Sequence, residues 1–488
     1  MEIGISNILE LRSGQSSDIS KFILENLIPN DVRKQKDAYA RILQFLLPFK
    51  DDLTVIAETD YIDKTYRDLY YHFYSTKLRH FEKNCVRLSF CTNVIDETIT
   101  YSAEDIQRIK DNYLGFVVLR PLGASCIGRN VISPDAIKSI GSKLLLCKTN
   151  IASTVLGVKV SVCGFPHSSQ DGEMMTCAET TIWAIMSYLA NRYNVYSLPL
   201  GHNILASLTD SSYERQTPSR GLNFQQISLS LQNQGLACRV YDKDNPKFKE
   251  ILSCYIESGI PLALCIEAKT FGHAVACVGR KALDRSAVSL RPVNVHGHFY
   301  YEWNNSIDEF IVNDDNATCY QVMNYTDPCS YYGNPDWSGM RITHFVAPLH
   351  QKIYLDAEIA IEASLNLVCY FGYADDSVIR TFLTSSRSYR EYVMTIATLP
   401  ESQKQAFVEL DMPKFIWVTE ISDDASFKAS QVNDIILMDA TSGQQDMYDS
   451  IIIKTQNGEA DIYDKNNHDF RTLPFKFSQK FCSFNNLH

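Results

Sequence analysis

Apolar positions recur at helical spacing early in the chain, in "DVRKQKDAYARILQFLLPF" and "DYIDKTYRDLYYHFY", and predict two amphipathic helices. Strand-like runs follow in "CVRLSFCT" and "LGFVVLRPL". A short helix between them is opened by Ser102, with Asp105 three residues on. The texture then changes. A loop, "GFPHSSQDGEMM", leads into the apolar helix "TCAETTIWAIMSYLA". "LNFQQISLSLQNQG" and "PKFKEILSCYIESG" read as helices closed by glycine, with "LACRVYD" a strand between them. "IPLALCIE", "GHAVACVGR" and "DEFIVND" are successive strand candidates rich in branched residues. A last stretch opens with the helix "LDAEIAIEASLNLV" and includes the strands "FIWVTEIS" and "DIILMDAT". The pattern predicts an α+β protein in three parts: an N-terminal α+β domain over 1–160, a central domain over 161–350 and a C-terminal mixed α/β domain over 351–488.

The length of 488 residues agrees with several domains, since one core seldom organises so long a chain. Hydrophobic residues make up 45% and charged residues 21%, which is ordinary for a globular protein. A formal net charge of -11, with no basic run, argues against nucleic-acid binding, because neutralising phosphate needs clustered Lys and Arg. No apolar run is long enough to span a bilayer, and "MEIGISNILELRSG" lacks the basic start and apolar block of a secretory leader. A cytoplasmic location is therefore expected. The 14 cysteines are scattered and form no CxxC pair, so a disulfide framework and a zinc ribbon are both disfavoured.

Among those cysteines, Cys177 has a distinctive place. Thr176 and Glu179 have the spacing of a capping box, which makes Cys177 the first residue of its helix. Ile182, Ile185, Met186 and Leu189 define a buried face below it. A thiol there lies beside unpaired backbone N–H groups, and the positive end of the helix dipole favours ionised sulfur. A buried structural cysteine is the bland alternative. Gln170, seven residues upstream, has an amide suited to donate to an oxyanion beside the Cys177 N–H. His273 lies 96 residues downstream, between Gly272 and an alternating strand. Forty-one residues further, a strand ends in Asp314 and Asp315, and a carboxylate beside His273 would fix the ring tautomer. Asp314 leaves the apolar alternation first and is preferred, with Asp315 in reserve. Each residue also has an ordinary reading, as loop glutamine, strand-end histidine or turn aspartate.

In this order the pieces resemble the papain-like cysteine peptidases, and most closely the bacteriocin-processing (double-glycine) peptidases and their relatives. The likeness rests on "SQDGEMMTCAETTIW", "GLNFQQISLSLQNQGL", "ACRVYD", "ESGIPLALCIE", "GHAVACVG" and "FIVNDD", over about residues 164 to 320. It implies a papain-like core with the cysteine helix packed on an antiparallel sheet. It implies Cys177 as nucleophile, His273 as general base and acid, Asp314 as orienter and Gln170 as oxyanion donor. It also implies a thiol protease without cofactor or metal, acting on a peptide, isopeptide or other amide bond of a protein or peptide substrate. The chain departs from the family pattern in Ala178 after the cysteine, Asp315 after the aspartate, a Gln170 one residue farther out than the papain spacing, and a long insertion between His273 and Asp314. A catalytically inactive scaffold or binding protein and a deamidase or acyltransferase effector are the alternatives. The flanking regions are expected to choose the substrate or gate the cleft, and leave room for a regulatory protein partner.

Other candidates are weaker. His296 and His298 form an H-x-H pair without a third ligand at a convincing spacing, so a plain hairpin is expected. Its aromatic residues would also suit a lid over a peptide. "GASCIGRNV" and "GVKVSVCG" lack the Lys-Ser/Thr signature of a phosphate loop.

Overall fold

The computed structural model describes residues 7–11, 16–28, 31–92, 102–138, 143–211, 214–268, 271–397, 399–443, 448–474 and 481–487. It is an α+β protein built largely on antiparallel sheets. Its contacts divide the chain into two units, one of Met1–Gly235, Ala263–Val278 and Ile311–Val346, the other of Leu236–Leu262, Gly279–Phe310 and Ala347–His488. The division expected at residue 160 falls inside the strand Val158–His167, which pairs on one side with Thr149–Val155 and on the other with Ile127–Ile132. The insertion expected between His273 and Asp314 is the segment Gly279–Phe310, and it belongs to the second unit.

The first unit holds a seven-stranded sheet in the order Asn7–Leu11, Leu53–Tyr61, Cys85–Cys91, Tyr113–Leu119, Ile127–Ile132, Val158–His167, Thr149–Val155. Every residue of Cys85–Cys91 is buried, as expected of a strand covered on both faces, whereas Val158–His167 begins with strict alternation and so has one wet face. Gly115 makes the sheet's closest approach. Its φ is +127°, and a Cβ there would stand 2.1 Å from the Val131 carbonyl oxygen. The helix Val32–Leu46, capped by Asp31 onto the Lys34 N–H at 3.1 Å, buries Ala38, Ile42, Phe45 and Leu46. Five neighbouring strands of a second sheet run in the order Gln321–Asn324, Glu309–Asn313, Gly272–Lys281, Leu262–Glu267, Arg341–Leu349. The helix Cys177–Arg192 is buried all round from Ala178 to Leu189, more completely than a single apolar stripe requires.

The second unit is organised by an eight-stranded sheet. Its order is Pro292–Val295, His298–Glu302, Val378–Ser385, Phe415–Ser422, Asp434–Asp439, Ile451–Gln456, Glu459–Asp464, Asp469–Pro474. The one parallel pair in that order joins His298–Glu302 to Val378–Ser385. Phe382, Tyr389, Val393, Ile416, Val418, Leu437 and Phe484 form an apolar cluster in this unit. The "VNVHGHFYYEW" segment is a hairpin in which Val295 faces His298 across a turn of His296 (φ +52°) and Gly297 (φ +95°). Two successive positive φ values are what a two-residue hairpin turn demands. No helix of the described residues is long and apolar enough to cross a membrane.

Candidate active site

The loop ahead of Cys177 is tied down before the helix begins. The Asp171 carboxylate accepts the backbone N–H groups of Glu173, Met174 and Met175 at 2.8, 2.8 and 3.0 Å, and the Asp171 N–H donates to the Met175 carbonyl at 2.9 Å. One carboxylate holding three successive donors fixes a non-repetitive loop. Glu179, wholly buried, then returns to the Thr176 N–H at 3.1 Å and also accepts the Thr176 and Ser219 hydroxyls. Burial pushes the Glu179 carboxyl up, against these hydrogen bonds. Cys177 is thereby left half-buried at the helix start, where first-turn N–H groups have no partner within the helix.

One turn further in, the Thr181 hydroxyl donates to the Ala274 carbonyl at 3.3 Å, which joins the cysteine helix to the strand Gly272–Lys281. His273, the second residue of that strand, is buried, and the Cys177 thiol at the helix start is among the groups that hold its charge up. The His273 Nε2–H donates to Asp314 Oδ1 at 2.9 Å. Burial alone would lower the His273 pKa. The Asp314 charge and hydrogen bond, followed by the thiol and Asp315, hold it well above the ordinary histidine value.

Asp314 lies just beyond the strand Glu309–Asn313 and is wholly buried. Besides His273 it accepts the Asn316 N–H on Oδ1 at 2.9 Å, and the Tyr331 and Tyr332 hydroxyls on Oδ2 at 2.5 and 2.6 Å. Burial would raise its carboxyl, but His273 and the two tyrosines keep it well below the usual carboxylate range. Its backbone carbonyl accepts from His167 Nε2 at 2.9 Å. Asp315 does not turn away, because the strand ends at Asn313 and its alternation ends with it. Asp315 Oδ1 stands 3.7 Å from His273 Nε2. Neither of its carboxylate oxygens has a hydrogen-bond partner by geometry, and burial together with Asp314 raises its carboxyl to about 8.

Gln170 joins this group from the other side. Arg120, buried, donates to the Ser169 and Gln170 carbonyls at 3.0 and 3.1 Å and so holds the loop. The Gln170 Nε2 donates to Asn316 Oδ1 at 2.7 Å. His273 and Asp314 are thus linked by a side-chain hydrogen bond, the Cys177 thiol acts on His273, and Gln170 reaches Asp314 through Asn316. A comparison with protein-family models finds no match for this chain, and neither does one with curated proteins. The geometry of the site itself has to bear the functional argument.

Several residues of the site carry no signal at the sequence level. Arg41, on the helix Val32–Leu46, donates to the carbonyls of Asn316 at 2.8 Å and Asp315 at 3.2 Å and to Ser169 Oγ at 3.2 Å, and so braces both sides of the site. Trp337 packs edge-on to His273 at 5.3 Å and stacks on Tyr332 at 4.1 Å, while Phe271 meets Trp337 at 5.2 Å. These rings wall the imidazole and the His273–Asp314 bond from water. The one hint was compositional: Tyr331, Tyr332 and Trp337 cluster around the turn residues Gly333, Asn334 and Pro335.

Donor atoms of His273, Asp314 and Asp315 lie within 4.8 Å of one another. Both Asp314 oxygens are already taken by proton donors, a geometry for hydrogen bonding rather than coordination. A second such group, Asp68, His72 and His202, also lies in the first unit. The two imidazoles stack at 3.9 Å and 11° over one carboxylate, and a metal ion cannot lie in the planes of two parallel rings at once. His296 sits in its hairpin turn and the His298 Nδ1–H donates to Asp375 Oδ1 at 2.8 Å, so the H-x-H pair serves the hairpin.

Proposed function

We propose that this chain is a papain-like cysteine peptidase that hydrolyses a peptide, isopeptide or other amide bond in a protein substrate. The observation that carries the reading is His273 hydrogen-bonded to the wholly buried Asp314, with the Cys177 thiol among the groups that act on the ring. An imidazole held charged beside a thiol at a helix start is the arrangement that takes the thiol's proton and leaves a nucleophile. In the first step the sulfur attacks the amide carbon, and a C–S bond forms as the carbonyl oxygen takes up negative charge. The Cys177 N–H, with the Gln170 amide as second donor, offsets that charge. His273 passes its proton to the leaving nitrogen as the C–N bond breaks. It then removes a proton from water, whose oxygen releases the acyl group and restores the thiol. Asp314 keeps the ring in the orientation and charge state both steps require. No disulfide joins the cysteines of the described residues, which suits a reducing compartment, and the cytoplasm is the location that goes with this reading.

Covalent labelling tests the proposal. Iodoacetamide at mildly acidic pH should modify Cys177 ahead of the exposed Cys163, and intact mass with peptide mapping should show that selectivity lost in His273→Ala. Equal labelling of Cys163 and Cys177, unchanged by His273→Ala, would leave an inactive scaffold as the better reading.

A further inference from the structure

Beside the cysteine helix runs an open groove of about 560 Å³. One end of it is Gly221, with φ +86°, and a Cβ built there would meet only Thr176 Oγ1, at 3.8 Å. The same loop is fastened to the start of the cysteine helix, because the Ser219 N–H donates to the Glu173 carbonyl at 2.6 Å and the Ser219 hydroxyl donates to Glu179. Gly221, at one end of the groove, is thus a neighbour of Thr176, the residue that precedes Cys177.

The lining is polar and its charge has a sign. Leu229 is its one large apolar residue among the described residues. Asn223 and Gln226 spend their side chains capping the helix Phe224–Asn233. Arg220 pairs with Glu214 at 3.0 Å, while among the described residues Arg215 has no ion-pair partner. Arg215 also lines the neighbouring groove of about 670 Å³ on the other side of its loop. Against one carboxylate the groove thus presents two guanidinium groups, in a chain whose net charge is -11. A local field opposed to the overall charge, with a planar five-donor cation left free, suits a carboxylate on the bound chain. An apolar side chain would find little surface to bury there.

We propose that this groove selects a polar, acidic peptide segment next to the scissile bond, with Arg215 as its specificity-determining residue. This rests on the peptidase reading of Cys177.

The test uses the full chain and three tetrapeptidyl acyloxymethyl ketones that differ only in carrying Glu, Lys or Leu upstream of the reactive group. Second-order labelling of Cys177 is followed by intact mass. The Glu probe should react about fivefold faster than the Lys probe, as an exposed charge pair allows, and the gap should shrink as salt is added. Arg215→Glu should reverse that order, and Arg215→Gln should level it, with iodoacetamide labelling of Cys177 unchanged in both. A preference for the Leu probe, or an order that Arg215→Glu leaves intact, overturns the proposal and leaves the peptidase reading standing. Failure of iodoacetamide itself to select Cys177 overturns both.

Discussion

Asp314 and Asp315 are neighbours in the chain with opposite environments. Asp314 receives protons from His273, Asn316, Tyr331 and Tyr332, so its charge is met from every side. Asp315 is equally buried with neither oxygen matched by geometry, and its carboxyl stays protonated at neutral pH. Two consequences can be measured. Asp314 is the main influence holding the imidazolium of His273 up, so Asp314→Asn should let that ring lose its proton at lower pH. Less imidazolium then stands beside the thiol at neutral pH, and the rate of Cys177 labelling by iodoacetamide at that pH should fall. For Asp315 the sign concerns stability. Its folded carboxyl titrates at about 8, against 3.8 as the ordinary value, so folding takes up a proton between those limits. That contribution is full below the lower limit and is lost as pH rises through the upper one. Asp315→Asn, which cannot ionise, should gain on the native protein as pH climbs from about 4 to about 8 in denaturant melts. A constant difference across that window would show that Asp315 is not buried as a neutral acid. Only one of the two carboxylates could be chosen from the alternation of the preceding strand. The alternation of that strand ends at Asn313, so it could rank the two carboxylates but could not foresee the approach of Asp315 to His273.

At the scale of elements, the cysteine helix was legible because its start signal is local. Thr176, Cys177 and Glu179 lie within one turn, and the return of Glu179 to the Thr176 N–H needs nothing from elsewhere in the chain. The pieces that brace the site are different. Arg41 reaches Asn316 across 275 positions, and Tyr332 reaches Asp314 from a loop of short turns that has no apolar period. Pairings of that kind leave no trace in spacing, since only the folded sheets bring them together. Glu179 is the place where local and tertiary order meet, because the same carboxylate that closes the helix start also holds Ser219. Glu179→Ala should cost about 1–2 kcal/mol for the lost cap. Labelling of Cys177 should slow as well, because the thiol's position depends on that first turn. A denaturant midpoint measures the first effect and iodoacetamide kinetics the second. A loss of stability with unchanged labelling would separate the cap from the placement of the sulfur.

On the scale of the whole molecule, the sequence pattern marks strands and helices, while the contacts group segments that lie far apart in the chain. "GHAVACVGR" reads as one strand, and nothing in it announces that the contacts of the chain change unit after Val278 and change again at Ile311. Burial of charge was equally hidden. In the second unit Glu257 is wholly buried and accepts from Arg380 Nη2 at 2.8 Å, from Trp303 Nε1 at 3.3 Å and from Arg280 Nε. Arg380 also donates to Glu420 at 2.9 Å and to the Phe484 carbonyl at 2.7 Å. In the sequence Glu257 is the next-to-last polar residue of "PKFKEILSCYIESG", where an exposed helix end is the natural expectation. Burial by itself would raise its carboxyl, yet Arg280 and Arg380 bring it down to about 2. A carboxylate lowered in the folded state stabilises the fold above its ordinary value of 4.5, and that stabilisation is lost as pH falls toward about 2. Glu257→Gln keeps the size and removes the charge, which leaves two arginines buried without their shared partner. It should destabilise by about 3–5 kcal/mol at neutral pH, the usual penalty for breaking a buried pair from one side. The gap between native and variant protein should close as pH drops from about 4.5 to about 2, because the native carboxylate then takes up the proton that the variant never carried. Hydrogen exchange of the strands Val378–Ser385 and Phe415–Ser422 reads the effect where Arg380 and Glu420 sit. Protection there that is unchanged in Glu257→Gln would mean that Glu420 and the Phe484 carbonyl alone hold Arg380.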